Sequence, residues 1–549
     1  MRVLGINGVF HDPAAALVVD GRIVAAAEEE RFSRRKHGKA AVAFSTWELP
    51  VQAARWCLQQ GGLTPGDLDA VGYSYDPVLA ETDDGPLPGQ DRDWEHLRTL
   101  YARRAGKFLT TALPGLDPGI VRHVRHHVAH AASASLASPY PDSAVLVVDG
   151  RGEATSMLAG EYRDGKLDIL ASQPLPHSLG LLYEDLTEYL GFARGNDEYK
   201  VMAMSSYGSP RFAEQLRARV YSCPDGTFRT EPIDWAALAP PRDPAATDLD
   251  PVHADLACSV QTVVEEVLVD LVSWLADHTS SDTVCLAGGV ALNCVANTRI
   301  AESGAFRRVW VQPAAGDAGT ALGAALAVAG AQDAPGEPLE PMRSAALGRD
   351  WTDEQVQAVL DDADIRYERP ADLAVAVADA LSDNLLVGWF QGRAEFGPRA
   401  LGQRSLLADP RDPHNLERLN RVKGREQFRP VAPMVLADRA AEIFRRGPLP
   451  SPYMLFVHDV ADGWRDRIPA ATHVDGTARI QTVDTDQPLL HRTITTFAAR
   501  TGVPVVINTS FNTAGRPMVD SPRDALECFG SAPIDVLAIG PFLIRRHRQ

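Results

Sequence analysis

Apolar and polar positions near the start of the chain fall into a pattern that is used twice. Val3 to Asn7 is an apolar run, and a polar loop containing His11 and Asp12 follows it. Two further runs, Ala14 to Val19 and Arg22 to Ala27, are separated only by Asp20-Gly21. Asp-Gly between apolar runs predicts a tight hairpin, because a type I′ turn needs positive φ at both central residues. From Ala144 the order returns: a strand to Val148, the polar loop Asp149-Gly150-Arg151-Gly152-Glu153, then Thr155 to Glu161, Asp164-Gly165 and Lys166 to Ala171. Two copies about 140 residues apart predict a duplicated α/β domain.

Downstream, Thr283 to Ala287 reads as a strand running into Gly288-Gly289-Val290-Ala291-Leu292-Asn293 and a helix. Glycines at such a turn let backbone N–H groups approach a ligand, so Gly288, Gly289 and Asn293 are candidate nucleotide-binding positions. Gly319 to Ala331, largely Gly and Ala, predicts a closely packed buried helix too short to span a membrane. Asp333 to Arg343 contains three prolines and reads as a linker, dividing the chain into 1–340 and 341–549. Beyond it come amphipathic helices (Thr352 to Ala363, Pro370 to Ser382) and strands Leu385 to Phe390 and Val503 to Ile507. A polar loop, Asn508 to Asn512, precedes a helix opened by a capping Ser521 and Pro522. The paired loops resemble those facing each other across the cleft of the actin- and sugar-kinase-like ATPase fold. That likeness concerns architecture and not reaction.

Composition narrows the class. With 549 residues, 45% hydrophobic and 23% charged, the chain is ordinary globular protein with room for two cores. A net charge of −18 repels nucleic acid and anionic membrane. Six cysteines without C-x-x-C spacing suit a reduced, cytoplasmic setting, and the opening residues read as a strand and not a signal peptide.

Three constellations carry chemistry. In His126-His127-Val128-Ala129-His130, residues 126 and 130 share one helix face and can bind one metal ion. Asp149 and Asp317, at the ends of predicted elements, complete a mixed N/O set suited to Fe²⁺, Mn²⁺ or Zn²⁺. The plainer alternative makes Asp149 a turn former and Asp317 a helix N-cap. Second, Arg393 to Arg429 holds nine Arg or Lys against five Asp or Glu, reversing the chain's overall sign. Arg393, Arg399, Arg404, Lys423, Arg425 and Arg429 lie there, several on Gly/Pro-fixed loops that suit phosphate or carboxylate oxygens. A solvated mixed-charge surface is the alternative. Third, the hydroxyls and amides of Asn508 to Asn512 suit an oxyanion or an ordinary turn. His11 beside Asp12 is a candidate general base, and Lys200 either reaches a phosphate or is simply exposed.

Taken together these strings resemble the O-carbamoyltransferase family that includes cephamycin and aminoglycoside carbamoyltransferases and nodulation protein U. The resemblance rests on Phe10-His11-Asp12, Glu28 to Phe32, His126 to His130, Asp149 to Glu153, Ser178-Leu179-Gly180, Gly288 to Asn293, Gly397 to Gly402, Phe428-Arg429-Pro430 and Asn508 to Asn512. It implies a C-terminal YrdC-like α/β domain that makes carbamoyl-adenylate from carbamoyl phosphate and ATP, with Mg(II) accompanying the ATP. The N-terminal domain, similar to the universal tRNA threonylcarbamoylation protein, would then pass the carbamoyl group to an acceptor hydroxyl at an iron site. Carried over residue by residue, the resemblance implies Fe(II) at His126, His130, Asp149 and Asp317, with His11 as base. It also implies carbamoyl phosphate at Arg399, Lys423, Arg429, Arg479 and Ser510. One departure is Tyr199-Lys200-Val201-Met202-Ala203, where relatives often carry a Gly-Lys-Leu-Met-Gly-type run.

The acceptor expected is a small molecule, a secondary metabolite or sugar as in antibiotic biosynthesis. It would be read by the irregular stretches Tyr75 to Asp93 and Ser209 to Asp250. No nucleic-acid or membrane partner is expected, and a homodimer stays open. A tRNA threonylcarbamoyl transferase is the nearest alternative, against which the acidity and the second domain count. A protein carbamoylase of the hydrogenase-maturation type is the other, against which the absence of zinc-binding cysteine pairs counts.

Overall fold

The computed structural model describes residues 1–38, 48–80, 92–331 and 338–546. The chain forms two compact units, Met1–Ser344 and Ala345–Gln549. The first part of the predicted linker (333–337) lies outside the described residues, as does 81–91 of the first acceptor stretch.

Unit one is built on two five-stranded sheets. The first comprises β1 (Arg2–Asn7), β2 (Ala14–Val19), β3 (Arg22–Glu28), β4 (Ala70–Tyr73) and β5 (Val121–His123), in the order β3-β2-β1-β4-β5. Helix α1 (His126–Ser135) follows. The second sheet comprises β6 (Ser143–Val148), β7 (Thr155–Arg163), β8 (Lys166–Pro174), β9 (Thr283–Ala287) and β10 (Arg308–Val311). Its order, β8-β7-β6-β9-β10, is the same pattern of third, second, first, fourth and fifth strand. In both sheets the first three strands are antiparallel and the last two join in parallel. Both hairpins also carry a bulge, at Leu17/Val18 and at Ala159/Gly160. The Asp-Gly reading holds in detail: φ is 48° and 76° at Asp20 and Gly21, and 50° and 74° at Asp164 and Gly165. The duplication is therefore structural, with the same strand order and hairpin recurring in both sheets.

Between β9 and β10 runs α2 (Cys294–Ser303), and after β10 comes α3 (Ala318–Gly330), the Gly/Ala helix. Its small residues allow contact on two sides. A Cβ added at Gly323 would lie 1.7 Å from the carbonyl oxygen of Ala129 in α1, and one added at Gly5 in β1 would lie 1.8 Å from that of Ala321. Neither neighbour can give way, since both are backbone. This closeness brings the start of α3 beside the start of α1.

Unit two is built on a seven-stranded mixed sheet, with a three-stranded antiparallel sheet beside it in sequence. The strands of the larger sheet are β11 (Val387–Phe390), β12 (Arg404–Ala408), β13 (Ala432–Leu436), β14 (Gln481–Val483), β15 (Val505–Ser510), β16 (Val536–Ile539) and β17 (Phe542–Arg545). They lie in the order β14-β13-β15-β12-β11-β16-β17. Helix α4 (His414–Val422) connects β12 to β13. The capping box predicted at Ser521 is present, with Asp524 as its reciprocal partner.

Candidate active site and metal centre

His126 and His130 lie on one face of α1, fully buried. Asp149 follows β6, and Asp317 precedes α3, and both are also buried. The Nε2 atoms of His126 and His130 each lie 3.3 Å from Asp149 Oδ2, and 3.5 and 3.6 Å from Asp317 Oδ1. One ligand atom from each residue fits within 4.8 Å of all the others. Yet both Nε2 atoms are buried without a hydrogen-bond partner. Ligands about 2.0–2.2 Å from one ion sit roughly 3.0–3.5 Å from their neighbours, and the four His–Asp separations, 3.3 to 3.6 Å, are close to that. The four residues fit a divalent cation.

The surroundings orient these four side chains, as outer partners of metal sites do. Asp149 Oδ1 accepts from the Gly289 N–H at 2.9 Å, and His126 Nδ1 lies 3.2 Å from the Ser74 carbonyl. Glu153 accepts from the backbone N–H groups of His126 and Asp76, fixing the start of α1. Asp317 is an N-cap by position only. Its backbone is right-handed helical, its side chain caps nothing, and Oδ2 instead accepts from the His11 N–H at 3.0 Å.

Burial works against charge here, but paired charges overcome it. Asp149 and Asp317 hold His126 well above the usual imidazole value despite burial, and raise His130 likewise. In return the two histidines hold Asp149 well below the carboxylate range. Asp317 is lowered too, against both burial and the repulsion of Asp149. A cation at this point would replace those protons. His127, between the two, is pushed down to about 3, by burial first and then by the charge on His126.

His11 stands at the edge of this centre, a third exposed, its Nδ1 3.6 Å from Asp12 Oδ2. The other oxygen of Asp12 takes His37 Nδ1 at 2.8 Å, and His37 Nε2 reaches Asn196. His37 and Asn196 escaped the sequence reading, because neither sits in a motif that suggests an acid–base role. Lys200 pairs with Asp197 at 3.0 Å and lies 5.3 Å over the Phe192 ring. Nearby Glu198 accepts from the Gly195 N–H, and burial pushes it up to about 7.

The glycine turn makes contacts within the protein. Gly288 has φ of 90°, and a Cβ there would lie 2.2 Å from the Val148 carbonyl oxygen, so its glycine serves the close approach of β9 to β6. Gly289 holds Asp149. Asn293 caps α2 through Ala296 N–H and exchanges two hydrogen bonds with Gln261. All three support the centre's frame. The stretch 209–250 is also less irregular than expected, containing the paired strands Val220–Ser222 and Phe228–Thr230.

In unit two, Lys423 ends α4 and is buried, its Nζ donating to Ser510 Oγ at 2.9 Å and to Asn512 Oδ1 at 2.6 Å. The structure thus joins two residues expected at carbamoyl phosphate, Lys423 and Ser510, with Asn512 of the polar loop. Asn508 Nδ2 bonds the Ala400 carbonyl and Gln481 Oε1, while Gln481 Nε2 bonds the Leu401 carbonyl. These contacts tie the loop of Arg399 and the strand edge beside Arg479 to β15. Arg429 lies 3.5 Å from Glu426, and buried Asn420 holds its carbonyl. Glu395, another residue the sequence reading missed, accepts from the N–H groups of Leu401, Gln403 and Arg404 and shapes the same loop. Arg404 requires a correction. It is fully buried, stacks 3.8 Å over Phe390, and donates to the carbonyls of Gln391, Gly392, Gln403 and Arg349. A guanidinium so engaged braces the loop and does not meet a phosphate. Arg393 likewise donates to the carbonyls of Gly348 and Leu347.

No helix among the described residues is long and apolar enough to cross a membrane. Comparison with known proteins follows the same division. Residues 2–82 and 109–326 match the family model for the carbamoyltransferase N-terminus, and 378–546 match that for the carbamoyltransferase C-terminus. The chain is 37% identical to nodulation protein NolNO of Sinorhizobium fredii, over 98% of this chain and 80% of that one. It is 31% identical to nodulation protein U of Bradyrhizobium diazoefficiens, over 94% and 93%. HypF of T. kodakarensis, a solved structure, is 15% identical over 60% of this chain and 48% of that one, with a TM-score of 0.32, too loose to carry an argument. With both family models matched in order along most of its length, the chain belongs to the carbamoyltransferase family and is a carbamoyl-transfer enzyme.

Proposed function

We propose that this enzyme is an ATP-dependent O-carbamoyltransferase that carbamoylates a hydroxyl of a small molecule, a secondary metabolite or sugar, in the cytoplasm. The observation that carries the reading is the buried set of His126, His130, Asp149 and Asp317, whose Nε2 atoms lack hydrogen-bond partners, within a carbamoyltransferase-family chain.

In unit two, water takes the phosphoryl group of carbamoyl phosphate, leaving carbamate and phosphate. A carbamate oxygen then displaces pyrophosphate from the α-phosphorus of ATP, which enters with Mg(II), giving carbamoyl-adenylate. Lys423, Ser510 and Asn512 would hold the phosphate together with Arg399, Arg429 and Arg479, since charge-assisted bonds from a fixed frame suit its oxygens. In unit one the acceptor oxygen attacks the carbamoyl carbon, its proton passes to His11, and AMP leaves. Asp12 orients the His11 ring, and the His11 backbone N–H fixes Asp317. Held by the two histidines and two aspartates, Fe(II) would polarise the carbamoyl carbonyl and anchor phosphate oxygens.

The test is pyrophosphate release from ATP by purified protein, with and without carbamoyl phosphate and Fe²⁺, beside Arg429→Ala and His130→Ala. Release that needs carbamoyl phosphate, fails in Arg429→Ala and survives in His130→Ala supports two separate chemistries. No carbamoyl-phosphate-dependent release from folded, metal-loaded protein sinks the adenylation step.

A further inference from the structure

The string His126 to His130 holds three histidines, and the four-residue centre uses two. The third, His127, is 3% exposed. Its Nδ1 lies 2.9 Å from the hydroxyl of Thr155, at the start of β7. Its Nε2 is buried without a hydrogen-bond partner, and Asp149 Oδ2 lies 4.0 Å away. This is the oxygen that His126 and His130 both face. The loop from Asp149 to Thr155 is shaped to admit the ring. A Cβ at Gly152 would lie 3.2 Å from His127 Cε1 and Nε2, tighter than most side-chain contacts, so glycine there leaves the edge of the imidazole clear.

A role as fifth ligand does not fit, because His127 stands outside the set whose ligand atoms lie within 4.8 Å of one another. Its ring centroid is 5.7 Å from that of His126 and 6.3 Å from that of His130. A buried nitrogen left without a partner is costly unless something completes it. A Thr155 hydroxyl that donates to Nδ1 would leave the ring proton on Nε2, on the side of Asp149.

We propose that His127 is a positioning residue of the metal centre, its Nε2–H being the donor that fixes Asp149 Oδ2 for the cation, with Thr155 setting the tautomer. At 4.0 Å the two atoms are within one small side-chain adjustment of a hydrogen bond. The inference rests on the reading of His126, His130, Asp149 and Asp317 as a divalent-cation site, and it is independent of the acceptor.

The test is Co²⁺ affinity of the full-length, chelator-stripped protein, measured by competition with a chromophoric chelator, together with the visible absorption band of the bound Co²⁺. The variants are His127→Ala, His127→Gln, Thr155→Val and, as the ligand-loss control, His126→Ala. Loss of an outer-shell partner weakens metal binding about 10- to 100-fold, which is the effect expected for His127→Ala, with a shifted band. Thr155→Val goes the same way by less, and His127→Gln, which keeps an N–H at similar reach, recovers most of the affinity. Should His127→Ala melt early, the Thr155→Val and His127→Gln pair decides alone. Affinity within twofold of wild type in His127→Ala, or in Thr155→Val with no recovery by Gln, overturns the inference while leaving the cation site standing. No Co²⁺ binding by the wild type overturns both.

Discussion

The centre in unit one and the cationic loops in unit two are both marked by dense motifs, but the fold treats them differently. In unit one the key nitrogens are buried and unmet, aimed between two carboxylates. In unit two Lys423 is already bonded to Ser510 and Asn512, and Arg404 to four carbonyls. Motif density locates a region. Which polar atoms the fold already engages differs between the two.

That contrast can be broken by substitution, beginning with the largest effect. His130→Ala removes a ligand, so metal retained after dialysis should fall more than about 100-fold, beyond the range for outer partners. Carbamoyl-phosphate-dependent pyrophosphate release should be unchanged, and its loss would mean the two regions do not work separately. Lys423→Met is the mirror experiment. Losing a charge-assisted contact of about 1.5–3 kcal/mol should lower that release roughly 10- to 100-fold while metal content stays whole. An unaltered KM for carbamoyl phosphate would reduce Lys423 to a brace like Arg404.

Arg404→Met sharpens the same distinction. Breaking a buried network costs several kcal/mol, so thermal melting should drop by several degrees with the KM for carbamoyl phosphate unchanged. A raised KM with unaltered melting would restore Arg404 to the phosphate site. Next is pH. His126 and His130 are held above their usual values by the two aspartates, so an arriving cation must displace protons. Apparent metal affinity should therefore rise with pH from about 6 to about 8, with proton release detectable in weak buffer. A flat profile would contradict the exchange.

The smallest effect belongs to Glu198, pushed up to about 7 by burial. A carboxyl with a raised value keeps its proton in the fold, so its penalty is absent below about 4.5 and grows as pH climbs to about 7. Glu198→Gln should thus melt slightly higher than wild type at about pH 8 and equally at about pH 4.

Local signals in the sequence carry the fold a long way. Asp20-Gly21 and Asp164-Gly165 specify their turns through φ alone, so the duplication is legible from the residues themselves. The candidate metal cluster is legible because His126 and His130 share a helical face and Asp149 and Asp317 end elements. Long-range partners are not. Nothing in the run Lys36-His37-Gly38 announces that His37 will meet Asp12 and Asn196, and Glu395 is one acid among many until three N–H groups converge on it. Gly289 also has a long-range partner that the sequence does not announce. Its N–H binds the protein's own Asp149.

The Gly/Ala helix α3 has a consequence for how the chain can change. Gly5, Gly323 and the backbone of Ala129 and Ala321 meet at van der Waals limits, and the arrangement of Asp317 beside His126 and His130 depends on that closeness. Through most of a protein, ancestry is free to trade one apolar residue for another of similar size. Along this seam one methyl group is already too many. A map of tolerated substitutions would then be inverted here, with the plainest residues in the chain proving the least replaceable.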